Sequence, residues 1–136
     1  VTLRLEGSGL VTGDRLMLRR AVGNLLSNAL RYTPSGGCIV VRVNIVRDSA
    51  DAETVHLAVE NTGEPIPPEH LSRLFDRFYR VDASRRHSGD GAGLGLAITR
   101  SILRSHGGDI EGRTGKGCNI FEMWIPTSIV TPRSAD

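Results

Sequence analysis

Three polar side chains recur at helical spacing: Asn24, Asn28 four residues on, and Arg31 three further, with Tyr32 beside the last. Residues three and four apart share one helix face, so the three make a single stripe ending at Tyr32. Inside a helix asparagine costs roughly 0.5 kcal/mol or more relative to alanine, yet two stand here among Leu25, Leu26, Ala29 and Leu30. A carbonyl oxygen held beside an apolar layer suits a hard cation such as magnesium, which keeps several waters and takes few protein ligands. Taken alone, the stripe also fits a helix face that is merely wet.

A second group is built from glycine. Nine of the sixteen glycines fall between Gly89 and Gly117, and the run Gly89, Gly91, Gly93, Gly95 leads straight into an apolar-periodic segment. Unobstructed amides at a helix N-terminus attract anions through free N–H groups and the helix dipole. The spacing fails the dinucleotide fingerprint, whose third glycine would fall at Leu94 or Leu96, and Lys116 stands in no Walker-type loop. By itself the run fits a flexible linker equally well.

Asn61 ends a β-branched segment, with Gly63 two residues later. Such a strand end lets a base edge approach the backbone and be read by one polar side chain; the bland alternative is an asparagine bonded to its own turn. Four of the six aromatic residues are Tyr32, Phe75, Phe78 and Tyr79, the last three beside Arg77 and Arg80. Arginines there could clamp phosphate oxygens, or the group could be a small satellite of packed rings. His56, His70, His87 and His106 have no metal-ligand spacing, and no G-x-S-x-G elbow supports nucleophilic hydrolysis.

The elements that must position these groups follow from periodicity. Thr2 to Glu6 alternates as a strand, and the Gly7-Ser8-Gly9 turn after it suggests a short edge hairpin. A helix is expected from Asp14 to about Arg31, stopped by Thr33 to Gly37. Cys38 to Val46 and Thr54 to Glu60 read as an antiparallel hairpin. A short helix follows around Glu69 to Leu74, then a mobile polar loop from Arg80 to Gly91. A second long helix runs from about Gly93 to Ser105. Two closing strands, Asp109 to Arg113 and about Asn119 to Ile125, are separated by a Thr-Gly-Lys-Gly turn. Without strict βαβ alternation, the expected class is α+β: a two-layer α/β sandwich, its mixed, mostly antiparallel sheet covered on one face by about three helices.

Composition sets the limits. A length of 136 residues, 39% apolar and 24% charged, describes one ordinary domain with its own core. A formal charge of +2 gives no nucleic-acid footprint, so no nucleic-acid partner is expected. No stretch reaches the roughly 18 apolar residues of a membrane helix, and the chain opens on Val1 without a leader, as a domain taken from a longer protein would. Cys38 and Cys118 signal neither a disulfide scaffold nor zinc, and a reducing compartment is the default.

Together these features resemble the catalytic ATP-binding domain of sensor histidine kinases. That branch belongs to a superfamily with type II topoisomerases, a heat-shock chaperone and mismatch-repair proteins. Four motifs stand in the family's order: an N box at Asn24-Leu-Leu-Ser-Asn28-Ala-Leu-Arg31-Tyr32, a first glycine box at Asn61-Thr-Gly63-Glu-Pro-Ile66, an F box at Phe75-Asp-Arg77-Phe78, and a second glycine box at Gly91-Ala-Gly93-Leu94-Gly95-Leu96. The stretch from Glu60 to Arg86 is most similar to copper/silver heavy-metal sensor kinases.

The resemblance implies the Bergerat ATP-binding fold over residues 1–126, with 127–136 a disordered tail. It implies ATP and magnesium as cofactors. Asn28 would be the metal ligand, Asn24 its helper near the phosphates, Arg31 a phosphate contact and Tyr32 a wall for adenine. Asn61 would read the adenine amino group, Gly63 would allow close approach, and Ile66 and Leu94 would pack on the base. Gly91, Gly93 and Gly95 would cradle phosphates, with Arg77 and Leu96 also at the nucleotide and residues 80–92 closing as a lid.

Two residues depart from the family pattern. Asn61 stands where Asp is usual, offering one carbonyl acceptor in place of two charged oxygens, and Pro65 stands where glycine usually repeats. The Gly115–Gly117 turn is also one residue longer than usual to its Phe121. No histidine is followed by an acidic residue, the phosphoacceptor pattern. The acceptor is therefore expected on a separate dimerisation domain of the same protein, with a cognate response regulator as second partner.

The resemblance further implies a cytoplasmic domain of a bacterial inner-membrane protein, monomeric alone and homodimeric at full length. Two rivals from the same superfamily remain: an anti-sigma-factor-type serine kinase, which normally lacks the F box, and an ATP-gated interaction module.

Overall fold

Helix α1 spans Arg15–Tyr32 in a computed structural model of the chain, which describes residues 1–47, 49, 52–76 and 95–127. Asp14 caps it, its side chain accepting the Met17 N–H at 3.0 Å, which satisfies one of the donors a helix start leaves open. Before it comes strand β1 (Thr2–Gly7). After it come β2 (Cys38–Arg47), β3 (Glu53–Thr62), the short α2 (Pro68–Leu71), α3 (Gly95–Ser105), β4 (Asp109–Gly115) and β5 (Cys118–Pro126).

The five strands form one sheet in the order β1-β2-β3-β5-β4. All neighbours are antiparallel except β1 and β2, which are parallel with Leu3 opposite Ile39 and Leu5 opposite Val41. This corrects the expected edge hairpin. Six alternating residues specify a strand but not its partner, and a parallel pair needs a crossover too long for a tight turn, which here is α1. The closing hairpin is also tighter than expected: β4 and β5 extend to Gly115 and Cys118, leaving a two-residue loop, Lys116–Gly117.

Alternation assigns the two faces. Ile39, Val41, Val59, Phe121, Met123 and Ile125 point to the helices and join Leu25, Ala29, Leu96 and Leu103 in one core. Each such side chain, taken fully from water, contributes about 1.5–3 kcal/mol. Leu71 at the end of α2, then Leu74 and Phe75, complete the layer, with Phe75 edge-on to Phe121 at 6.2 Å. The expected two-layer sandwich with three helices on one face is thus the fold found among the described residues. The opposite face is polar: Arg42 bridges Glu6 and Glu60 across three strands, and Glu122 bridges His56 and Arg113. α3 ends at Gly107, whose φ of 86° lets the Gly108 N–H return to the Leu103 carbonyl at 2.8 Å.

Several expectations lie outside the described residues: the loop from Arg80 to Gly91, Phe78, Tyr79, the start of the second long helix, and residues 128–136. Thr127, the first residue of the expected tail, donates its N–H to the Glu53 carbonyl at 3.1 Å. No described helix is long and apolar enough to cross a membrane.

Two carboxylates make stability pH-dependent. Burial opposes the charged form of Asp109, but the Ile110 N–H, Arg100 and Arg104 outweigh it and hold the carboxyl below its ordinary value. Burial likewise opposes ionisation of Glu122, and Arg113 and His56 reverse the balance. A carboxyl depressed by folding adds stability that is complete above its ordinary range, near pH 4, and vanishes as pH falls through the lowered value. Thermal melts should therefore show a loss of stability on the acid side that is shallower in Asp109→Asn and Glu122→Gln; parallel acid limbs in variant and parent would contradict this.

Candidate functional site

The helices α1 and α3 lie antiparallel, tied near both ends. Asp14 donates its N–H to His106 Nε2 at 3.0 Å, and Asn24 Nδ2 donates to the Gly95 carbonyl at 3.2 Å. Thr99 Oγ1 donates to that same carbonyl at 2.9 Å, so the first turn of α3 is fixed from within and from its neighbour. The asparagine stripe and the start of the glycine-led helix therefore converge.

Asn28 is the most telling member of the stripe. It is only 8% exposed, yet its side-chain amide makes no hydrogen bond to any other described residue. No fully enclosed side-chain nitrogen or oxygen among the described residues lacks a partner, so this amide keeps a narrow opening to solvent. Water can reach the amide through that opening, and a ligand oxygen or cation could take the water's place. Its carbonyl chemistry and its place beside the α3 start fit a magnesium ion held by few protein ligands. Asn24, Arg31 and Tyr32 are half-buried, and the Arg31 guanidinium sits 5.8 Å from the Tyr32 ring centroid. The stripe does not behave as a merely wet face.

The end of β3 supplies the second half. Asn61 Nδ2 donates to the Thr62 carbonyl at 3.1 Å and, more weakly, to the Tyr32 carbonyl at 3.5 Å. Those bonds identify the nitrogen and leave Oδ1 as an acceptor, the polarity needed to receive an exocyclic amine. Gly63 follows because nothing larger fits: a Cβ there would stand 2.7 Å from the Tyr32 carbonyl oxygen. The close approach it permits is thus first that of the end of α1 to the strand. Ile66 and Leu96 are both buried in the core. Gly95 opens α3 as described, whereas Arg77, Gly91, Gly93 and Leu94 lie outside the described residues.

Sequence reasoning missed Asn119. It stands opposite Asn61 on β5 and is nearly inaccessible; its Oδ1 accepts the Ile66 N–H at 2.8 Å, and its Nδ2 donates to the Glu64 carbonyl at 2.9 Å. One amide thus pins both sides of the loop after Gly63. The signal was available: Asn119, Phe121, Met123 and Ile125 occupy alternate inward positions, and a polar residue heading an inward row must have a buried partner.

Fold and site define a nucleotide-binding ATPase-type domain. The family model described as histidine kinase-, DNA gyrase B- and HSP90-like ATPase matches residues 13–129, and the chain belongs to that family. Within it the chain is similar to sensor histidine kinases. It is 58% identical over 127 residues to the sensor histidine kinase CusS of Escherichia coli strain K12, covering 93% of the chain and 25% of that protein. It is 50% identical over 117 residues to the probable sensor kinase SilS of Salmonella typhimurium, covering 86% and 22%. Among solved structures, the mycobacterial sensor histidine kinase MprB superposes with a TM-score of 0.79 at 30% identity, over 95% of this chain and 85% of that one. The chain spans about a quarter of the length of the curated relatives it matches.

Two substitutions test the asparagine pair. Asn119→Ala strands the Ile66 N–H and the Glu64 carbonyl and should lower stability by about 2–4 kcal/mol in chemical denaturation, with little change in m-value. Asn61→Asp, although it restores the commoner family residue, sets a carboxylate against two carbonyl oxygens and should cost about 1–3 kcal/mol without ligand. A denaturation midpoint equal to the parent's would mean that Asn61 does not donate as described.

Proposed function

We propose that the chain is the catalytic domain of a two-component sensor histidine kinase, binding magnesium-ATP and presenting the γ-phosphate to a histidine on a separate dimerisation domain of the same protein. The observation that carries this reading is the buried, unbonded amide of Asn28 beside the Asn24–Gly95 link. A magnesium ion, when bound, would neutralise phosphate charge and hold the triphosphate in line for transfer.

The chain's own residues do the positioning. Asn28 offers its Oδ1 to the metal, and Asn24 keeps the α3 start against the stripe. Arg31 adds a fixed cation able to contact phosphate in two places. At the other end Asn61 Oδ1 accepts from the adenine amino group while Tyr32 walls the ring. The second glycine box at Gly91, Gly93 and Gly95 supplies backbone amides to the phosphates, with Leu94 on the base and Arg77 near the nucleotide. Phosphoryl transfer demands mainly position and charge neutralisation, so a domain without its own acceptor histidine is chemically sufficient as a donor.

The full-length protein is proposed to be a homodimeric inner-membrane kinase with this domain in the cytoplasm, acting on a cognate response regulator. The similarity of residues 60–86 to copper/silver sensor kinases, with the relatedness to CusS and SilS, supports heavy-metal sensing.

Titration with a non-hydrolysable ATP analogue tests the site. Magnesium should strengthen binding in the parent, and Asn28→Ala should remove at least tenfold of that gain while leaving the metal-free affinity within about threefold; an unchanged magnesium effect would sink the assigned role. Joined to a matching dimerisation domain, the parent should form an acid-labile phosphohistidine from ATP. A domain that binds ATP but yields only phosphoserine on a partner, or no phosphoprotein at all, would favour the serine-kinase or interaction-module rivals.

A further inference from the structure

The edge strand β1 carries an apolar surface that the helices leave uncovered. Leu3 and Leu5 lie on the helix-bearing side of the sheet, since their register partners Ile39 and Val41 are core residues, yet they are 54% and 72% exposed. The position of α1 explains why. Its Asn24 flank turns to α3, which lies over β4 and β5, so the opposite flank faces the β1 side.

At 3.6 residues per turn that opposite flank carries Arg15, Arg19, Val22, Leu26 and Leu30 in one stripe. Val22 and Leu26 are half-buried and Leu30 is 57% exposed. Leu3, Leu5 and Leu30, with half-buried Leu26, thus leave an apolar step open on the helix-bearing side of the sheet toward its β1 edge.

An independent observation concerns charge. Arg15, Arg19 and Arg20 stand in the first two turns of α1, no acidic residue shares the first turn, and none of the three has an ionic partner among the described residues. Cations at the positive end of a helix oppose its dipole, a local conflict that proteins keep chiefly at functional surfaces.

We propose that this step is a docking site for an amphipathic α-helix that lays leucine-type side chains on Leu3, Leu5, Leu26 and Leu30 and directs glutamate or aspartate to Arg15 and Arg19. Exposed leucines flanked by cations suit the apolar face and acidic flanks of an amphipathic helix, a cylinder about 10 Å across. A second copy of this chain would set the arginine flanks against each other. An incoming helix with acidic flanks resolves both the open apolar step and the unpaired cations.

The test uses the 15N-labelled domain and a 20-residue helical peptide with leucine at i, i+3, i+4 and i+7 and glutamate on its flanks. The peptide should shift amides of residues 3–5 and 19–30. Its affinity should fall at least tenfold in Arg15→Glu/Arg19→Glu and in Leu3→Ser/Leu5→Ser, and should weaken as salt is raised. ATP-analogue affinity should stay unchanged in these variants, which separates failure here from failure of the nucleotide assignment. Should a serine pair lose its dispersed spectrum, Leu30→Ser tests the same contact from α1. Equal binding of a peptide with lysine in place of glutamate, binding only to phosphatidylserine vesicles, self-association without peptide, or no binding at all would each overturn the proposal.

Discussion

The hydrogen bond from the Asn24 amide to the Gly95 carbonyl brings together two segments that are 71 residues apart in sequence. The bond spends the Asn24 nitrogen on the protein and sets the amide's orientation. It also spends the carbonyl at the first residue of α3, which receives Thr99 as well. With that turn held, the stripe on α1 stands alongside the start of α3. The antiparallel packing at the far end, where His106 receives the Asp14 N–H, keeps the two helices from sliding past one another.

The second constraint is the asparagine pair at the sheet end. Asn61 and Asn119 sit opposite each other on adjacent strands and face inward where apolar residues would otherwise continue the core. Each discharges its hydrogen-bonding capacity onto backbone: Asn61 onto the ends of α1 and β3, Asn119 onto the loop after Gly63. A buried amide with partners on two segments fixes their separation far more tightly than apolar packing does, because misplacement leaves polar groups unpaired. Gly63 completes the arrangement by letting the Tyr32 carbonyl pass within contact of the strand.

What the sequence revealed, and what it hid, follows from the same physics. Helix α1 was legible because its apolar repeat is regular and Thr33 to Gly37 end it; β2 and β3 were legible because β-branched residues crowd them. The pairing of β1 was not, since six alternating residues carry no record of their neighbour and only the intervening helix decides for parallel. Asn119 escaped because reading by motif assigns a role to residues in boxes, whereas its importance comes from two backbone groups, on Ile66 and Glu64, more than fifty residues away in sequence. The site's four motifs announced a ligand. The atoms that hold them in place had to be found in three dimensions.

The choice of asparagine in the α1 stripe has a physical logic of its own. A triphosphate carries several negative charges, and a carboxylate at 4 Å from one of them would repel it by about 4 kcal/mol at the dielectric typical near a protein surface. A neutral amide still offers a carbonyl oxygen to a metal or an amine, without that repulsion, and its nitrogen remains free to bond the scaffold. Asn24 and Asn61 both use the nitrogen in that way, whereas the Asn28 amide has no partner among the described residues. In a site proposed for an anion, the amide that the fold leaves open to solvent is the one placed to meet a bound cation.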